Sequence, residues 1–411
     1  MTPPSANPPY RLLRLAEARA AIAALPIRPV APTRVAVGSS AGGWSADEVR
    51  SPADVPPRPT SAMDGFAIAD GVRAGRLDFA VVEANGVRRL RPGEAVAVVT
   101  GETLPPGTSA VARVESVRLD HGTLRLRHSL PRGTDVHAPG SSIRGGARLV
   151  AKGQEVLPYT VAALLAAGVR RVRVRRPKAV VVATGTELRR PDDRSPGPRD
   201  ALGPAIAALL RRWCDVTYAG VVPDDRAAIR SAVETAVRAS DLVVTLGGSS
   251  VGPRDRTKAA VADAGRLVVG GTRINVLKRA GVGFVRGTPV LILPGQVESA
   301  FVSFHEHGLA LLERLVDAPL RSYARRPLRD PITVAHRMDS TYLFREQDGH
   351  AIPIGWGVAR YETLLGATGF AYLRHGRSYP RGHVVAMQRF ERGAAIQPTP
   401  AEGSAKGQSA F

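Results

Sequence analysis

The stretch DLVVTLGGSSVGPRDRTKAAV, residues 241–261, contains the pattern that decides the fold. The apolar run LVVTL predicts a buried strand, the glycine- and serine-rich segment after it predicts a loop, and a helical pattern begins near residue 256. Glycines let a backbone curl closely around a ligand and point successive amide groups at an anion such as phosphate. The stretch therefore indicates an anion-binding loop, although a tight turn with Asp255 as the helix cap would give the same pattern.

The same alternation of strands and helices covers residues 178–318. Strand-like runs are KAVVVATG from residue 178, DVTYAGVV from residue 215, DLVVTLGG from residue 241 and TPVLILPG from residue 288. Helical patterns alternate with them at 204–213, 225–239, 256–264 and 297–316. Such an alternation is typical of parallel strands covered by helices, so we predict a central, doubly wound α/β sheet domain. Ligands of these sheets bind beyond the carboxyl ends of the strands.

The remainder of the chain has other patterns, and we expect a multidomain protein. Short apolar runs separated by glycine predict a small β-rich domain at 47–147 and a C-terminal β-rich domain at 321–395. Residues 1–46 and 148–177 together predict a helical and extended linker domain, and 396–411 a disordered tail. A chain of 411 residues is too long for one hydrophobic core, which agrees with several domains.

Composition excludes several classes of protein. The single cysteine, Cys214, excludes a disulfide scaffold and a cysteine-rich metal site, and it agrees with a reducing compartment. The sequence has no apolar run of membrane-spanning length and no signal-peptide pattern, so we expect a cytoplasmic protein without a membrane span.

The formal net charge of +21 raises the question of a nucleic-acid partner. The basic residues are spread over the whole chain, and the densest run, VRRVRVRR at 169–176, alternates with valine as a strand does. This alternation favours a solvated strand face over a phosphate-binding patch. We therefore expect a small-molecule substrate, with nucleic acid as an alternative that rests on charge alone.

Two further glycine-containing segments follow predicted strands of the same sheet. ATGTEL occupies 183–188 and LPGQVESA occupies 293–300. Because the carboxyl ends of parallel strands lie at one edge of a sheet, we expect the three loops to form a shared pocket. The candidate ligand-binding residues are Thr184, Gly185, Gly247, Gly248, Ser249, Ser250, Gly252, Pro294, Gly295 and Ser299.

Together with SAMDGFAI at 61–68 and VVTGETLPPGTSAVARVE at 98–115, these segments resemble, in order and spacing, the signature segments of molybdopterin molybdenumtransferase. This is the MoeA family, which includes the gephyrin E domain, and the resemblance extends from about residue 10 to 395. It implies an elongated subunit of four domains whose central domain binds the phosphate of a pterin dithiolene. It also implies a homodimer in which the aspartate of the SAMDG segment reaches the pocket of the other subunit.

The resemblance implies that adenylylated molybdopterin and molybdate are the substrates, that Mg²⁺ assists, and that AMP is released. Both substrates are anionic, so carboxylates can serve by holding a cation or by orienting water. On this basis Asp64, Glu187 and Asp255 are candidates for Mg²⁺ binding and catalysis, and Thr100 for an oxyanion contact. Each also has a plainer interpretation, since Asp64 could cap a turn and Thr100 could end a strand.

The chain departs from the family pattern at several positions. Thr186 stands where the first glycine loop of the family has aspartate, and Arg148 and Leu149 replace a glutamate–aspartate pair. Gln296 and Val297 replace asparagine and proline. The alternative hypothesis is therefore a catalytically impaired molybdopterin- or nucleotide-binding relative that acts in delivery, sensing or scaffolding.

Two more features bear on the site. The lysine–proline–glycine–lysine–proline segment of the family is reduced to VLKRAGVG at 276–283, which retains Lys278 and Gly281. His305 and His307 are two residues apart in a predicted helix, where side chains at that spacing point to different sides. We therefore expect these histidines to be core or surface residues and not a metal-binding pair.

Overall fold

The computed structural model describes residues 10–69, 77–83, 89–248, 256–355 and 361–390. The chain divides into two compact units, one formed by residues 31–176 and the other by residues 1–30 together with 177–411. Each unit has its own core and is described by itself. The boundaries of the four domains and the tail that the sequence predicts stay a prediction.

The first element, helix α1, spans Leu15–Ala23 and belongs to the larger unit. Its buried residues, Ala18 and Ile22, are one turn apart and form the face that packs inward. At its start Glu17 accepts a hydrogen bond from the backbone N–H of Arg14 at 2.7 Å, which satisfies a donor that the helix leaves free.

The unit of residues 31–176 is mostly β-structure. Its strands are β1 Thr33–Ala36, β2 Trp44–Ser45, β3 Val49–Arg50, β4 Thr60–Ser61, β5 Gly65–Ile68, β6 Asp78–Val81, β7 Glu94–Val98, β8 Ala110–Arg113, β9 Val117–Asp120, β10 Thr123–Leu126, β11 Val136–His137, β12 Arg148–Val150 and β13 Arg171–Arg175. Its one α-helix among the described residues, α2, spans Pro158–Ala166.

The main sheet of this unit has six strands in the order β8-β5-β7-β6-β10-β9. Side chains that alternate along β5 enter two separate clusters, Ala67 on one face and Ile68 on the other. Apolar side chains therefore cover both faces of this sheet. In the smaller sheet β1-β13-β2, Val172 and Val174 are buried whereas Arg171 and Arg173 are exposed.

The larger unit contains the α/β sheet and the C-terminal strands. Its next elements are β14 Lys178–Thr184, α3 Leu202–Leu210, β15 Asp215–Val222, α4 Arg226–Ala239, β16 Leu242–Leu246, α5 Thr257–Ala264, β17 Arg266–Val269, β18 Gly281–Val285, β19 Thr288–Leu293, α6 Val297–Ser303 and α7 Leu309–Val316. They are followed by β20 Tyr323–Pro327, β21 Ile332–Thr333, β22 Ser340–Gln347, β23 His350–Gly355, α8 Tyr361–Gly366, β24 Gly369–Leu373, β25 Ser378–Tyr379 and β26 Val384–Arg389.

The strand order of the α/β sheet is β15-β14-β16-β19-β18-β17. The first four strands are parallel, and the apolar side chains of β14, β16 and β19 are buried nearly throughout, as expected for strands covered by helices. The predicted α/β fold is confirmed. The two antiparallel strands β18 and β17 at one edge were not predicted. A two-residue turn with positive φ at Arg286 and Gly287 joins β18 to β19, which makes this pair a hairpin.

The helix predicted at 297–316 is interrupted by a π-helical segment, Phe304–Gly308, between α6 and α7. Both histidines of this segment are buried. The Nδ1 atom of His305 lies 2.7 Å from the carbonyl oxygen of Phe301, and burial lowers the pKa of His305 to about 4. Burial also lowers the pKa of His307, so both rings are uncharged at neutral pH.

The C-terminal strands form a five-stranded sheet in the order β20-β26-β24-β22-β23, with a core that includes Phe344, Ala371 and Met387. None of the helices in the described ranges combines the length and the apolar composition of a membrane span.

Candidate functional site

A cleft of about 450 Å³ opens at the carboxyl ends of β14, β16 and β19, in the larger unit. All three glycine-containing loops contribute to it, so the structure brings the three predicted segments together. The described residues that line the cleft are Ala183, Thr184, Glu187, Leu188, Arg199, Asp200, Ala201, Leu202, Asp224, Leu246, Gly247, Gly248, Arg279, Pro294, Gly295, Gln296 and Tyr361.

The loop after β16 depends on glycine at two positions. Gly247 and Gly248 have φ angles of +91° and +53°, which side-chain-bearing residues rarely adopt. A Cβ atom at Gly247 would lie 2.6 Å from the carbonyl oxygen of Thr184, and one at Gly248 would lie 2.5 Å from Oγ1 of Thr257. The first residue of α5 also fixes the loop, since Thr257 donates its backbone N–H to the Gly248 carbonyl at 2.9 Å.

Two carboxylates lie at the cleft beside the first glycine loop. Glu187 is exposed and lines the cleft directly. The second is Asp224, which follows β15: its Oδ2 accepts the backbone N–H of Thr186 at 3.2 Å, and its own N–H donates to Oγ1 of Thr186 at 3.1 Å. Thr186 thus lacks the carboxylate that the family pattern places there, but it holds a neighbouring carboxylate beside the same loop.

Asp224 was missed from the sequence, although a signal was present. The segment PDD at 223–225 follows the strand-like run DVTYAGVV, so its carboxylates lie at the carboxyl end of a predicted strand. Asp200 was also missed. It is buried and accepts hydrogen bonds from the N–H of Gly203 at 2.9 Å and the hydroxyl of Tyr218 at 2.7 Å. These contacts give Asp200 a role in holding the start of α3.

The cationic residue of the segment VLKRAGVG that lines the cleft is Arg279, since Lys278 is exposed and is not part of the lining. Arg279 is half-buried and takes part in no ion pair or side-chain hydrogen bond with the described residues. An arginine at the wall of a cleft whose side chain is not bonded within the described part of the chain is available to an anionic ligand.

In the third loop, Pro294, Gly295 and Gln296 line the cleft, whereas Ser299 is buried in the first turn of α6. Glu298, beside it, is only 4% exposed, and its Oε1 atom has no hydrogen-bond partner among the described residues. Burial raises the pKa of Glu298 to about 7. This helix therefore carries an acid that titrates near neutral pH immediately after a cleft-lining loop.

Asp64 and Thr100 lie together in the unit of residues 31–176. Oδ1 of Asp64 accepts both the backbone N–H of Thr100 at 2.7 Å and its hydroxyl at 2.8 Å. The pKa of Asp64 is lowered by these bonds, first by the backbone N–H and then by the hydroxyl. Asp64 is thus an exposed, ionised carboxylate in a fixed orientation. Arg148, in the same unit, lies 3.6 Å from the carboxylate of Glu48.

Several predicted site residues lie outside the described residues, namely Ser249, Ser250, Gly252 and Asp255. Within the described ranges, no group of three or more histidine, cysteine, aspartate or glutamate side chains is placed to hold a metal ion. Gly185 is buried in the turn after β14, next to the cleft-lining Thr184. The ligand-binding and catalytic roles stay predictions.

The fold and the cleft define a multidomain α/β protein with a glycine-lined cleft at the strand ends of its mixed sheet. Two segments of the chain match known protein families, and both matches agree with this class. Residues 13–168 match the MoeA N-terminal region (domain I and II), and residues 180–314 match the probable molybdopterin binding domain. The chain belongs to the MoeA family, so the resemblance stated from the sequence is confirmed.

Individual relatives agree with this assignment. The molybdopterin molybdenumtransferase of Haemophilus influenzae is 29% identical over 280 residues, covering 66% of this chain and 69% of the relative. The molybdopterin molybdenumtransferase 2 of Mycobacterium tuberculosis is 29% identical over 319 residues, covering 67% and 73%. The crystal structure of the molybdopterin biosynthesis MoeA protein from Pyrococcus horikosii matches with a TM-score of 0.73 at 26% identity, covering 93% of this chain and 100% of that one.

Proposed function

We propose that this chain is a molybdopterin molybdenumtransferase of molybdenum cofactor biosynthesis, which inserts molybdate into adenylylated molybdopterin and releases AMP. The observation that carries the proposal is the convergence of three glycine-containing strand ends on one cleft, in a chain of the MoeA family. That cleft combines loop glycines, two carboxylates and an arginine, Arg279, that has no partner among the described residues, which suits a highly anionic substrate.

The glycine loops and Arg279 bind the substrate in this proposal. Gly247 and Gly248 have no side chains that would keep a phosphate away from the backbone. The N–H of Gly247 donates to the Leu293 carbonyl at 3.0 Å, whereas the N–H of Gly248 has no backbone partner among the described residues and can donate to a ligand. Arg279 adds a positive charge at the cleft wall, and the hydroxyl of Thr184 is bonded to the carbonyl oxygen of Leu246 at 3.2 Å, which fixes the strand end. We therefore place the pyrophosphate group of the substrate at the strand ends.

The carboxylates of the cleft fit a magnesium ion, which usually binds one or two protein carboxylates together with substrate phosphates and water. Glu187 and Asp224 are the described residues that would hold it, and Asp255 is a third candidate by resemblance. The bound ion would neutralise charge on the phosphates and ease departure of AMP. Glu187 and Asp224 would also orient the water that attacks the bond between the two phosphates, so that AMP leaves and the other phosphate stays on molybdopterin.

We also propose a cytoplasmic homodimer in which Asp64 and Thr100 act in the cleft of the partner subunit. The hydrogen bonds from Thr100 support an ionised Asp64 that is ready to bind a cation or orient water. Mixing the inactive variants Asp64→Asn and Glu187→Gln tests this arrangement, because a mixed dimer keeps one complete site. Restored activity supports the dimer, and a mixture as inactive as its components contradicts it.

The test of the proposed function is AMP release from adenylylated molybdopterin in the presence of Mg²⁺ and molybdate. We expect release by the wild type, and a loss of about 100-fold or more in Asp224→Asn, because removal of an electrostatic group at such a site typically costs this much. Asp330→Asn is the matched control, since Asp330 is exposed and lies outside the cleft. Tight ligand binding without any AMP release would favour the non-catalytic relative instead.

A further inference from the structure

One aromatic residue of the cleft has no role so far. Tyr361, the first residue of α8, is the only aromatic side chain among the described residues that line the cleft, and it is 57% exposed. Its side chain makes no hydrogen bond and no ring contact with any described residue. By contrast, Tyr218 and Tyr372 bond the carboxylates of Asp200 and Glu306 through their hydroxyls.

An exposed, unpartnered aromatic ring at a ligand cleft has a specific use. Its face offers a flat, polarisable surface on which another flat ring can stack, and it does so with little loss of conformational entropy. The cleft volume of about 450 Å³ lies within the range of small-molecule sites. Its other walls supply Arg279 and the glycine loop for an anionic group, so ring and anion can be bound by different parts of one cleft.

We propose that Tyr361 is a substrate-binding residue whose ring stacks on the heterocyclic ring of the bound ligand, while the phosphate lies at Gly247 and Gly248. The chemical class recognised is a flat nitrogen heterocycle that carries a phosphate, and either the adenine or the pterin ring of adenylylated molybdopterin meets this description. The inference rests on the proposed function for the identity of the ligand, but stacking itself is measurable without turnover.

The exposed face of α8 gives the matched control. Leu365 lies one turn after Tyr361 on the same helix face, is 77% exposed and does not line the cleft. If this face served mainly to pack on another chain, Tyr361→Ala and Leu365→Ala would weaken that association alike, and neither would change ligand binding. If the ring stacks on the ligand, only Tyr361 matters for binding.

The experiment measures dissociation constants of Tyr361→Ala, Tyr361→Phe and Leu365→Ala for three probes: AMP, 6-hydroxymethylpterin and inorganic pyrophosphate. We expect Tyr361→Ala to weaken binding of one ring-bearing probe about tenfold, which is typical for loss of one stacking contact. Tyr361→Phe should bind as the wild type does, because it keeps the ring. Pyrophosphate binding should stay unchanged in every variant, and the ring-bearing probe that responds identifies the stacked ring.

A fluorescent variant gives a second readout. The added emission of Tyr361→Trp is measured against the wild type, so that the emission of the three native tryptophans, Trp44, Trp213 and Trp356, is subtracted. AMP or pterin stacking should quench the added emission and pyrophosphate should not. The inference is overturned if Tyr361→Ala binds all three probes as the wild type does, if it loses pyrophosphate equally, or if the wild type binds neither ring-bearing probe. Quenching without AMP release would reject the proposed function alone, and AMP release without any Tyr361 effect would reject the inference alone.

Discussion

Glu298 makes the folding stability of this protein depend on pH near neutrality, and Glu298→Gln should remove that dependence. The carboxyl group is buried, and its pKa rises from an ordinary 4.5 to about 7. The folded chain therefore binds this proton more tightly than the unfolded chain does, so stability falls as pH rises from 4.5 to about 7. Glutamine has nearly the same shape as the protonated acid and carries no charge at any pH.

The magnitude follows from the same values. Each pH unit between 4.5 and about 7 contributes about 1.4 kcal/mol, so ionised Glu298 costs the folded state about 3 kcal/mol. We expect Glu298→Gln to match the wild type in stability at pH 4.5 and to exceed it by up to about 3 kcal/mol at pH 8. Urea unfolding, followed by the fluorescence of the buried Trp213, measures the difference.

The control for this measurement is Glu362→Gln, because Glu362 is an exposed residue of α8 and the change should have no effect at either pH. A stability difference between Glu298→Gln and the wild type that is equal at pH 4.5 and pH 8 would refute the reasoning, since charge would then not be the cause. Equal stability at pH 8 would refute it as well.

Three further predictions concern the cleft and the core. Gly248→Ala should weaken pyrophosphate binding about tenfold or more in equilibrium dialysis, because the added Cβ has no room. The control Gly38→Ala should leave pyrophosphate binding unchanged, because a Cβ there meets nothing within 4 Å. Arg279→Ala should weaken pyrophosphate binding by about 1.5–3 kcal/mol, with partial recovery in Arg279→Lys and a weaker dependence on salt in titration calorimetry. Arg19→Ala should lower the free energy of unfolding by about 3 kcal/mol. The reason is that the buried Glu306 loses the two hydrogen bonds, of 2.7 and 2.9 Å, that the arginine donates. An unchanged melting temperature would contradict this.

The elements that the sequence predicted are those whose signals are local. The run LVVTL at 242–246 is buried on both sides of the sheet, and the glycines after it occupy conformations that few other residues adopt, so both were recognisable without tertiary information. For the same reason the alternation of strands and helices predicted an α/β sheet, and with it the meeting of three strand ends at one cleft.

The residues that the sequence did not reveal depend on which strands pair. Asp224 reaches the loop of Thr186 because β15 pairs with β14, and sequence order does not specify that neighbour. Likewise, whether Lys278 or Arg279 faces the cleft depends on the orientation of a turn by one residue. Tyr361 lies in a different part of the chain from the α/β strands, so only tertiary structure brings it to the cleft.

The most direct test of the central claim, that one cleft at the strand ends binds the phosphate of the substrate, is a crystal structure of the protein soaked with AMP. We expect the phosphate within hydrogen-bond distance of the backbone amide of Gly248, with the guanidinium of Arg279 beside it. Phosphate density at any other surface, with the cleft holding only water, would contradict the account.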